Sequence, residues 1–394
     1  MQAISTQSNP QRQRISVLGA TGSIGSSTLD VIAQHPDRFE IVALTAQENA
    51  EKLAALAKQF RPRTVAIGNE THSALLKDIL AGTGVHVVAS EQGILEAASQ
   101  PVDLSVCAIV GAAGLAPTLA AVKHASRVAL ANKESLVCAG PLVMQACVAH
   151  GTTLLPVDSE HNAIFQVLAT EHRAQLEKIT LTASGGPFLN RDIATLHSVT
   201  PQEAVAHPRW NMGAKISVDS ATMMNKGLEL IEAHYLFGLP AEQLDVLIHP
   251  ESIVHSLVHY TDGSVLAQLG MPDMRIPIGY ALAWPERLAL TTPRLDLAQI
   301  GALHFNAPDE ARFPCLGLAR EALSRGAASM VALNAANEVA VAKFLASEIS
   351  YIDIARIVAA TLNKADNAPI SSLADAMAAD KQARAYAAEY KGNS

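Results

Sequence analysis

The run from Arg14 to Gln34 constrains the fold of this chain more than any other stretch. Arg14 to Leu18 is a short strand of mostly apolar residues that feeds into Gly19-Ala20-Thr21-Gly22-Ser23-Ile24-Gly25, and a helical run from Ser27 to Gln34 follows. Strand, glycine turn and helix in that order open a doubly wound sheet. Further strands are predicted at Glu40–Leu44, Thr64–Ile67, His86–Val88, Leu104–Val110, Val128–Ala131 and Thr153–Val157, with helical patterns in most gaps. Such alternation predicts a parallel sheet covered by helices. The glycine turn would then set a dinucleotide pyrophosphate against the first helix N-terminus, at the carboxyl edge of the sheet. Its spacing is GxxGxxG rather than GxGxxG, and a glycine pattern alone also marks a plain tight turn. The loop after the second strand, Thr45-Ala46-Gln47-Glu48-Asn49, holds no Arg or Lys for a 2′-phosphate, and Glu48 suits an unphosphorylated ribose.

Two more segments reach the same edge. Ala131-Asn132-Lys133-Glu134-Ser135 follows a strand directly, so Lys133 is either a solvated lysine or one placed to meet a substrate oxygen. Asp158-Ser159-Glu160-His161 follows Leu154-Leu155-Pro156-Val157, and if the first three stay extended, both carboxylates point to one side. Like charges so placed need a cation, a shared proton or full solvation. A hard divalent ion, Mg²⁺ or Mn²⁺, suits two or three carboxylates better than zinc does. The competing reading is an N-cap Asp and a first-turn Glu opening the helix with Ile164 and Phe165. Ser184-Gly185-Gly186-Pro187-Phe188, after a strand at Lys178–Leu181, is a second place where backbone amides approach an anion, or a plain turn. Asn190 to Met212 has little periodicity after Thr195 and reads as a mobile flap, with Trp210 as apolar lid and His207 as polar contact.

The stretch Lys215 to His234 opens with alternating Ile216 and Val218, read as a short strand, and crosses Asp219-Ser220-Ala221-Thr222 into a helix. Ser220 near a helix start, with Asn225 and Lys226, makes a phosphate cradle, and Glu229 shares a helical face with both donors. A capped surface helix with one ion pair is the plainer alternative.

Strands at Val246–Ile248, Val254–Val258 and Val265–Leu269 predict an antiparallel or mixed sheet in an α+β domain. His249, His255 and His259 do not alternate as converging zinc ligands would. Pro272 to Pro314 reads as a connection, and helices are predicted at Leu316–Ser324, Ser329–Ala346, Ile352–Leu362 and Leu373–Tyr390, with Asn334, Asn337 and Glu338 as caps or cross-links. The expectation is an α/β protein: a doubly wound (Rossmann-like) dinucleotide-binding domain over 1–157, a central α+β catalytic domain over 158–291, a linker over 292–314 and a C-terminal helical bundle over 315–394. The length of 394 residues suits two or three domains, and 49% hydrophobic with 17% charged residues is globular composition. A net charge of −8 argues against a nucleic-acid or anionic-membrane partner, and no apolar run has the roughly 18 residues of a membrane span. Cys107, Cys138, Cys147 and Cys315 lack CxxC spacing and read as reduced, buried thiols. The first fourteen residues read as a loose polar tail without a secretory signal, on a cytoplasmic protein.

Taken together, GATGSIG, ANKESLV, LLPVDSEHNAIFQ, SGGPF, HPRWNMG, KISVDSATMMNKGLE, IHPESIVHS and ALNAANE closely resemble the 1-deoxy-D-xylulose 5-phosphate reductoisomerase family, from about Ile15 to the final bundle. The resemblance implies an NADPH- and divalent-metal-dependent rearrangement and reduction of a small phosphorylated sugar, in non-mevalonate isoprenoid synthesis, by a homodimer. It implies that Thr21, Gly22, Ser23, Ile24, Asn49, Asn132, Glu134 and Gly213 bind NADPH and that Asp158, Glu160 and Glu229 hold Mn²⁺ or Mg²⁺. By the same resemblance Lys133 and Ser159 hold the substrate's oxygen functions, while Ser184, His207, Ser220, Asn225 and Lys226 make its other contacts, the phosphate site included. Lys133, Asp158, Glu160 and Glu229 are thus the expected catalytic group. Some members of the family carry a basic residue where this chain has Gln47-Glu48, so the 2′-phosphate contact departs from the pattern. Two alternatives compete: a simple NADP-dependent dehydrogenase, whose semialdehyde type needs an activated cysteine, and a non-catalytic cofactor-sensing regulator.

Overall fold

The computed structural model describes residues 12–390 except Asn211 and Asn367. Most of the expected N-terminal tail, and Asn211 of the 190–212 segment, therefore lie outside the described residues. Among those residues the first half alternates β1 Gln13–Leu18, α1 Ser23–Ala33, β2 Phe39–Ala46, α2 Ala50–Phe60, β3 Thr64–Ile67, α3 Ser73–Ile79, β4 His86–Ala89, α4 Glu91–Ala98, β5 Val102–Cys107, α5 Leu115–His124, β6 Ala125–Leu130, α6 Lys133–His150 and β7 Thr153–Pro156. The seven strands pair in parallel in the order β4-β3-β2-β1-β5-β6-β7. Helices cover both faces, so Ile15, Val17 and Leu18 of β1 are wholly buried and the strand reads as an apolar run rather than an alternation. The order reverses at β1, between β2 and β5, which opens a crevice above their carboxyl ends. Gly19 sits there at φ 87°, and a Cβ on it would lie 2.6 Å from the Ala108 carbonyl oxygen. Glycine lets the turn pass beneath β5's exit.

The chain leaves this sheet through α7 Ser159–Val167 and enters β8 Leu176–Ala183; α8 Pro201–Val205, α9 Ala214–Ala221 and α10 Met224–Phe237 follow, then β9 Leu244–Ile248, β10 Val254–Tyr260 and β11 Val265–Leu269. These four strands form a mixed sheet, β11-β10-β8-β9, in which β8 and β9 run parallel and the other pairs antiparallel. Its core joins Ile179, Leu181, Val246 and Val258 to Leu230, Ala233 and Phe237 of α10. After α11 Arg275–Ala283 and α12 Leu297–Ile300, the end of the chain is α13 Pro314–Arg325, α14 Ala327–Leu345, α15 Tyr351–Leu362 and α16 Leu373–Glu389. Leu333, Ala336, Ala340 and Phe344 of α14 pack with α13, α15 and α16 around one core, which also takes in Val218, Leu228 and Ile231. The bundle thus braces α9 and α10 from behind.

Several expectations are corrected. Ile216 and Val218 are not in a strand: Ser217, Val218 and Ala221, buried at i, i+1 and i+4, give α9 a helical period that two β-branched residues masked. Ser220 accordingly lies in the last turn of α9, not at a helix start, and Met223 at φ 62° reverses the chain into α10. β5 ends at Cys107, three residues short of the expected Val110. The connection from Pro272 holds α11, whose Ile278, Ala281 and Leu282 bury against the first sheet, because Pro277 at its first turn is compatible with a helix. The 190–212 segment contains a 3-10 turn at Ile193–Ser198 and α8, the latter closed by a Thr200–Glu203 capping box.

Candidate active site

A cavity of about 490 Å³ lies between the first sheet and α7, α9 and α10, lined by Gly22, Ser23 and Ile24 on one side and by Lys133, Asp158, Glu160 and Glu229 on the other. Asp158 occupies the N-cap position of α7 but makes no capping bond, and Glu160 stands in the first turn. The expected extended pair is therefore a helix start with Asp158 and Glu160 at the positions of the capping alternative, although the Asp158 side chain turns to Lys133 instead of capping. Lys133, first residue of α6, bridges Asp158 and Glu229, the latter at 3.3 Å. Lys226 bridges Glu160, at 2.9 Å, and Glu229. Asn225 Nδ2 donates to Glu229 Oε1 at 2.5 Å while its Oδ1 accepts from Lys133 Nζ at 2.9 Å. Two ammonium groups thus tie carboxylates from two separate segments into one cluster.

Electrostatics follow from burial. Desolvation alone would push the Glu160 carboxyl up, yet the Lys226 charge and hydrogen bonds from Lys226 and Ser159 outweigh it and hold it at about 2. For Glu229, burial and the Glu160 charge win over the two lysines, and its pKa is raised. Burial opposes the charge on Lys133 and Lys226, but the surrounding carboxylates raise both above the ordinary lysine value.

Behind this cluster is a pair that sequence reasoning passed over. His161 Nε2–H donates to the Glu229 carbonyl at 2.9 Å, and its Nδ1 lies 3.4 Å from Glu232 Oε2, both side chains being fully buried. Burial lowers His161 to about 4 and raises Glu232 well above the carboxylate range, so the two face each other as neutral groups. Glu232 is one helical turn after Glu229, a spacing that marks one face of α10. Asp158, His161 and Glu232 also offer ligand atoms within 4.8 Å of one another. Neither His161 nor Glu232 lines the cavity, however, so an ion held there would not face a substrate.

On the opposite wall, His207 Nδ1 accepts from Trp210 N at 2.9 Å and Arg209 N at 3.2 Å, which puts the ring proton on Nε2, 2.9 Å from Ser184 Oγ. Ser184 accepts that proton and keeps its own hydroxyl hydrogen for a ligand. Burial lowers His207 to about 4. Trp210, 6.4 Å from the His255 ring, and Ser159, Ser220, Asn225 and Lys226 line the same cavity. Ser220 reaches it from the end of α9 and Lys226 from the start of α10, so the residues expected to form the cradle come from two helices.

At the dinucleotide end, α1 begins at Gly22 with no side-chain cap, leaving first-turn N–H groups for an anion. Gly213 caps α9 beside the cavity. Asn132 is nearly buried, caps α6 through Ser135 N at 3.0 Å and holds Ile109 O at 2.7 Å. Glu134 pairs with Lys215 at 2.8 Å, and Lys215 with Asp219 at 2.9 Å. Thr21 and Asn49 do not line the cavity; Asn49 caps α2, and the Thr21 carbonyl accepts from Lys52.

Three family models match the chain: 1-deoxy-D-xylulose 5-phosphate reductoisomerase over residues 15–140, its C-terminal domain over 154–237, and a second DXP reductoisomerase C-terminal domain over 269–386. The chain is 54% identical over 375 residues to the 1-deoxy-D-xylulose 5-phosphate reductoisomerase of Rhodospirillum centenum, covering 95% of this chain and 93% of the relative. It is 55% identical over 383 residues to that of Ralstonia nicotianae, covering 96% and 98%. Among solved structures, the Zymomonas mobilis enzyme in complex with NADPH is 50% identical with a TM-score of 0.91, over 96% of this chain and 98% of that one. A DOX-P reductoisomerase in complex with NADPH, fosmidomycin and magnesium is 48% identical with a TM-score of 0.92, over 95% and 97%.

Proposed function

Because the chain belongs to the 1-deoxy-D-xylulose 5-phosphate reductoisomerase family, we propose that the cavity residues singled out by the sequence are its working site, with Lys133, Asp158, Glu160 and Glu229 at the reacting centre. The protein is an NADPH- and divalent-metal-dependent enzyme that converts 1-deoxy-D-xylulose 5-phosphate to 2-C-methyl-D-erythritol 4-phosphate in isoprenoid biosynthesis. The observation that carries the residue assignment is the buried cluster itself. With Glu232 neutral behind them, Asp158, Glu160 and Glu229 bring three negative charges against the two positive charges of Lys133 and Lys226, so the ionised cluster keeps a net negative charge that favours a cation. The three carboxylates of the cluster offer only oxygen ligands, which suits a hard cation.

When bound, NADPH supplies the hydride and the divalent ion polarises the substrate's carbonyl and hydroxyl oxygens. The remaining work belongs to side chains. Lys133 Nζ, held between Asp158 and Glu229, stands ready to pass a proton to or from a substrate oxygen. Ser159 and Glu160 orient the same end of the substrate. Lys226, Asn225 and Ser220 receive the phosphate, and Ser184, oriented by His207, adds a hydroxyl donor. Trp210 covers the cavity and excludes water, with the 190–212 segment as its flap. First-turn amides of α1 take the pyrophosphate, with Thr21 to Ile24, Asn49, Asn132, Glu134 and Gly213 completing the cofactor site.

The division at 157, 291 and 314 belongs to the same proposal, as do a homodimer and a cytoplasmic location. The exposed apolar Val265, Leu266 and Leu269 on edge strand β11 support a second copy there. Among the described residues no helix is long and apolar enough to cross a membrane. A cysteine-nucleophile dehydrogenase is disfavoured because all four thiols are buried, and burial pushes Cys107 and Cys315 up to about 12. Following NADPH absorbance tests the reading: oxidation requires 1-deoxy-D-xylulose 5-phosphate, stops with EDTA and returns with Mn²⁺ or Mg²⁺. Oxidation indifferent to EDTA would refute the metal cluster's role.

A further inference from the structure

NADPH differs from NADH by a phosphate on the adenosine ribose, and that ribose is met by the loop leaving the second strand of the sheet. Here the loop is Gln47-Glu48-Asn49, and its one charge has the wrong sign. Its polar groups are also committed elsewhere. Glu48 Oε2 accepts from Asn69 Nδ2 at 2.8 Å and lies 3.2 Å from His72 Nε2, while Asn69 N donates to Gln47 O at 2.9 Å. Gln47 lies across Gly68, where a Cβ would come 2.1 Å from its Oε1. The loop is thus stitched to the one after β3, and Glu48 is drawn to Asn69 and His72.

One cation crosses the gap that remains. Lys52, in the first turn of α2, donates from Nζ to the Thr21 carbonyl at 2.8 Å and to Ser26 Oγ at 2.9 Å. It therefore joins the β2–α2 junction to the glycine turn, between which a ribose attached to a pyrophosphate at α1 must pass. Both partners are neutral oxygens, and among the described residues no carboxylate contacts this exposed ammonium. A dianionic phosphate is a stronger acceptor than either. We propose that Lys52 selects the 2′-phosphorylated dinucleotide, in place of the basic residue that the loop after β2 lacks, with Glu48 held aside by Asn69 and His72.

The inference rests on the dinucleotide reading of the β1–α1 turn, and the competing role for Lys52 is a tether between two loops. Titration calorimetry of the full-length protein without substrate separates them, using NADP⁺, NAD⁺ and adenosine 2′,5′-bisphosphate. Lys52→Ala is expected to weaken NADP⁺ and the bisphosphate by about tenfold or more while NAD⁺ stays within about twofold, and Lys52→Arg to restore most of the loss. Equal losses for NADP⁺ and NAD⁺ would make Lys52 a tether, and unchanged NADP⁺ binding would place recognition elsewhere; either overturns the proposal. Wild-type protein that binds neither dinucleotide would overturn it together with the reading of the turn.

Discussion

Lys133 and Lys226 each hold two carboxylates that would otherwise repel across a buried cluster, and Glu229 is the member common to both. Replacing Glu229 by Gln removes a charge from both bridges and from the proposed ion. Turnover at saturating metal is expected to fall by about a hundredfold or more, with the fold intact by circular dichroism. Near-normal turnover would remove Glu229 from the reacting centre. His207 supplies a second residue-level prediction. Its folded pKa of about 4 lies below the ordinary 6.5, so the unfolded chain takes up the proton first as pH falls. The neutral ring's contribution is complete above about pH 6.5 and is lost as pH falls through about 4. Wild type should therefore lose stability to urea relative to His207→Gln across that window, and a pH-independent difference would show the ring is not held neutral. The carboxylates and donors of this site were legible as residue types at helix and strand ends. The pairs of Glu229 with Asn225 and Lys226 followed from helical spacing, whereas the partners of Lys133 did not, because Lys133 and Asn225 lie 92 residues apart in the chain.

At the scale of elements, α7 and α10 carry every proposed metal ligand, and His161 and Glu232 fasten one to the other. A neutral Glu232 has an uncharged isostere in Gln that can donate to His161 Nδ1, whereas Ala leaves that nitrogen without a neighbour. Glu232→Gln should bind Mn²⁺ nearly as wild type, while Glu232→Ala weakens it by about ten- to a hundredfold, read by electron paramagnetic resonance of free Mn²⁺. A Gln variant as impaired as Ala would mean that the carboxylate is charged. The strands of the first sheet were readable because burial on both faces makes them continuous apolar runs between glycine turns. α9 was not, since Ile216 and Val218 mimic alternation over too few residues to distinguish the periods, and the apolar side of α11 lies in a proline-rich stretch. Glu232 was within reach: its spacing from Glu229 placed it on an already identified face.

Across the whole molecule, three packed regions converge on one cavity: the crevice above β1 and β5, the pair α7 and α10 in front of the second sheet, and the final helices behind α9 and α10. The bundle is more than a brace, for Asn337 Nδ2 on α14 donates to Asp219 at 2.7 Å, and Asp219 in turn pairs with Lys215 beside Glu134. Glu338 accepts from Ala112 N at 3.2 Å, which ties α14 to the loop after β5. The sequence marked Asn337 and Glu338 as cross-links without saying to what, because such long-range partners have no local signature. The proposed chemistry requires Asp158, Glu160 and Glu229 to share one divalent ion beside the nicotinamide site. An anomalous difference map from crystals grown with Mn²⁺ and NADPH tests it most directly. One manganese peak about 2 Å from oxygens of all three carboxylates is the predicted result, whereas a peak held by Asp158, His161 and Glu232, or none in the cavity, would contradict it.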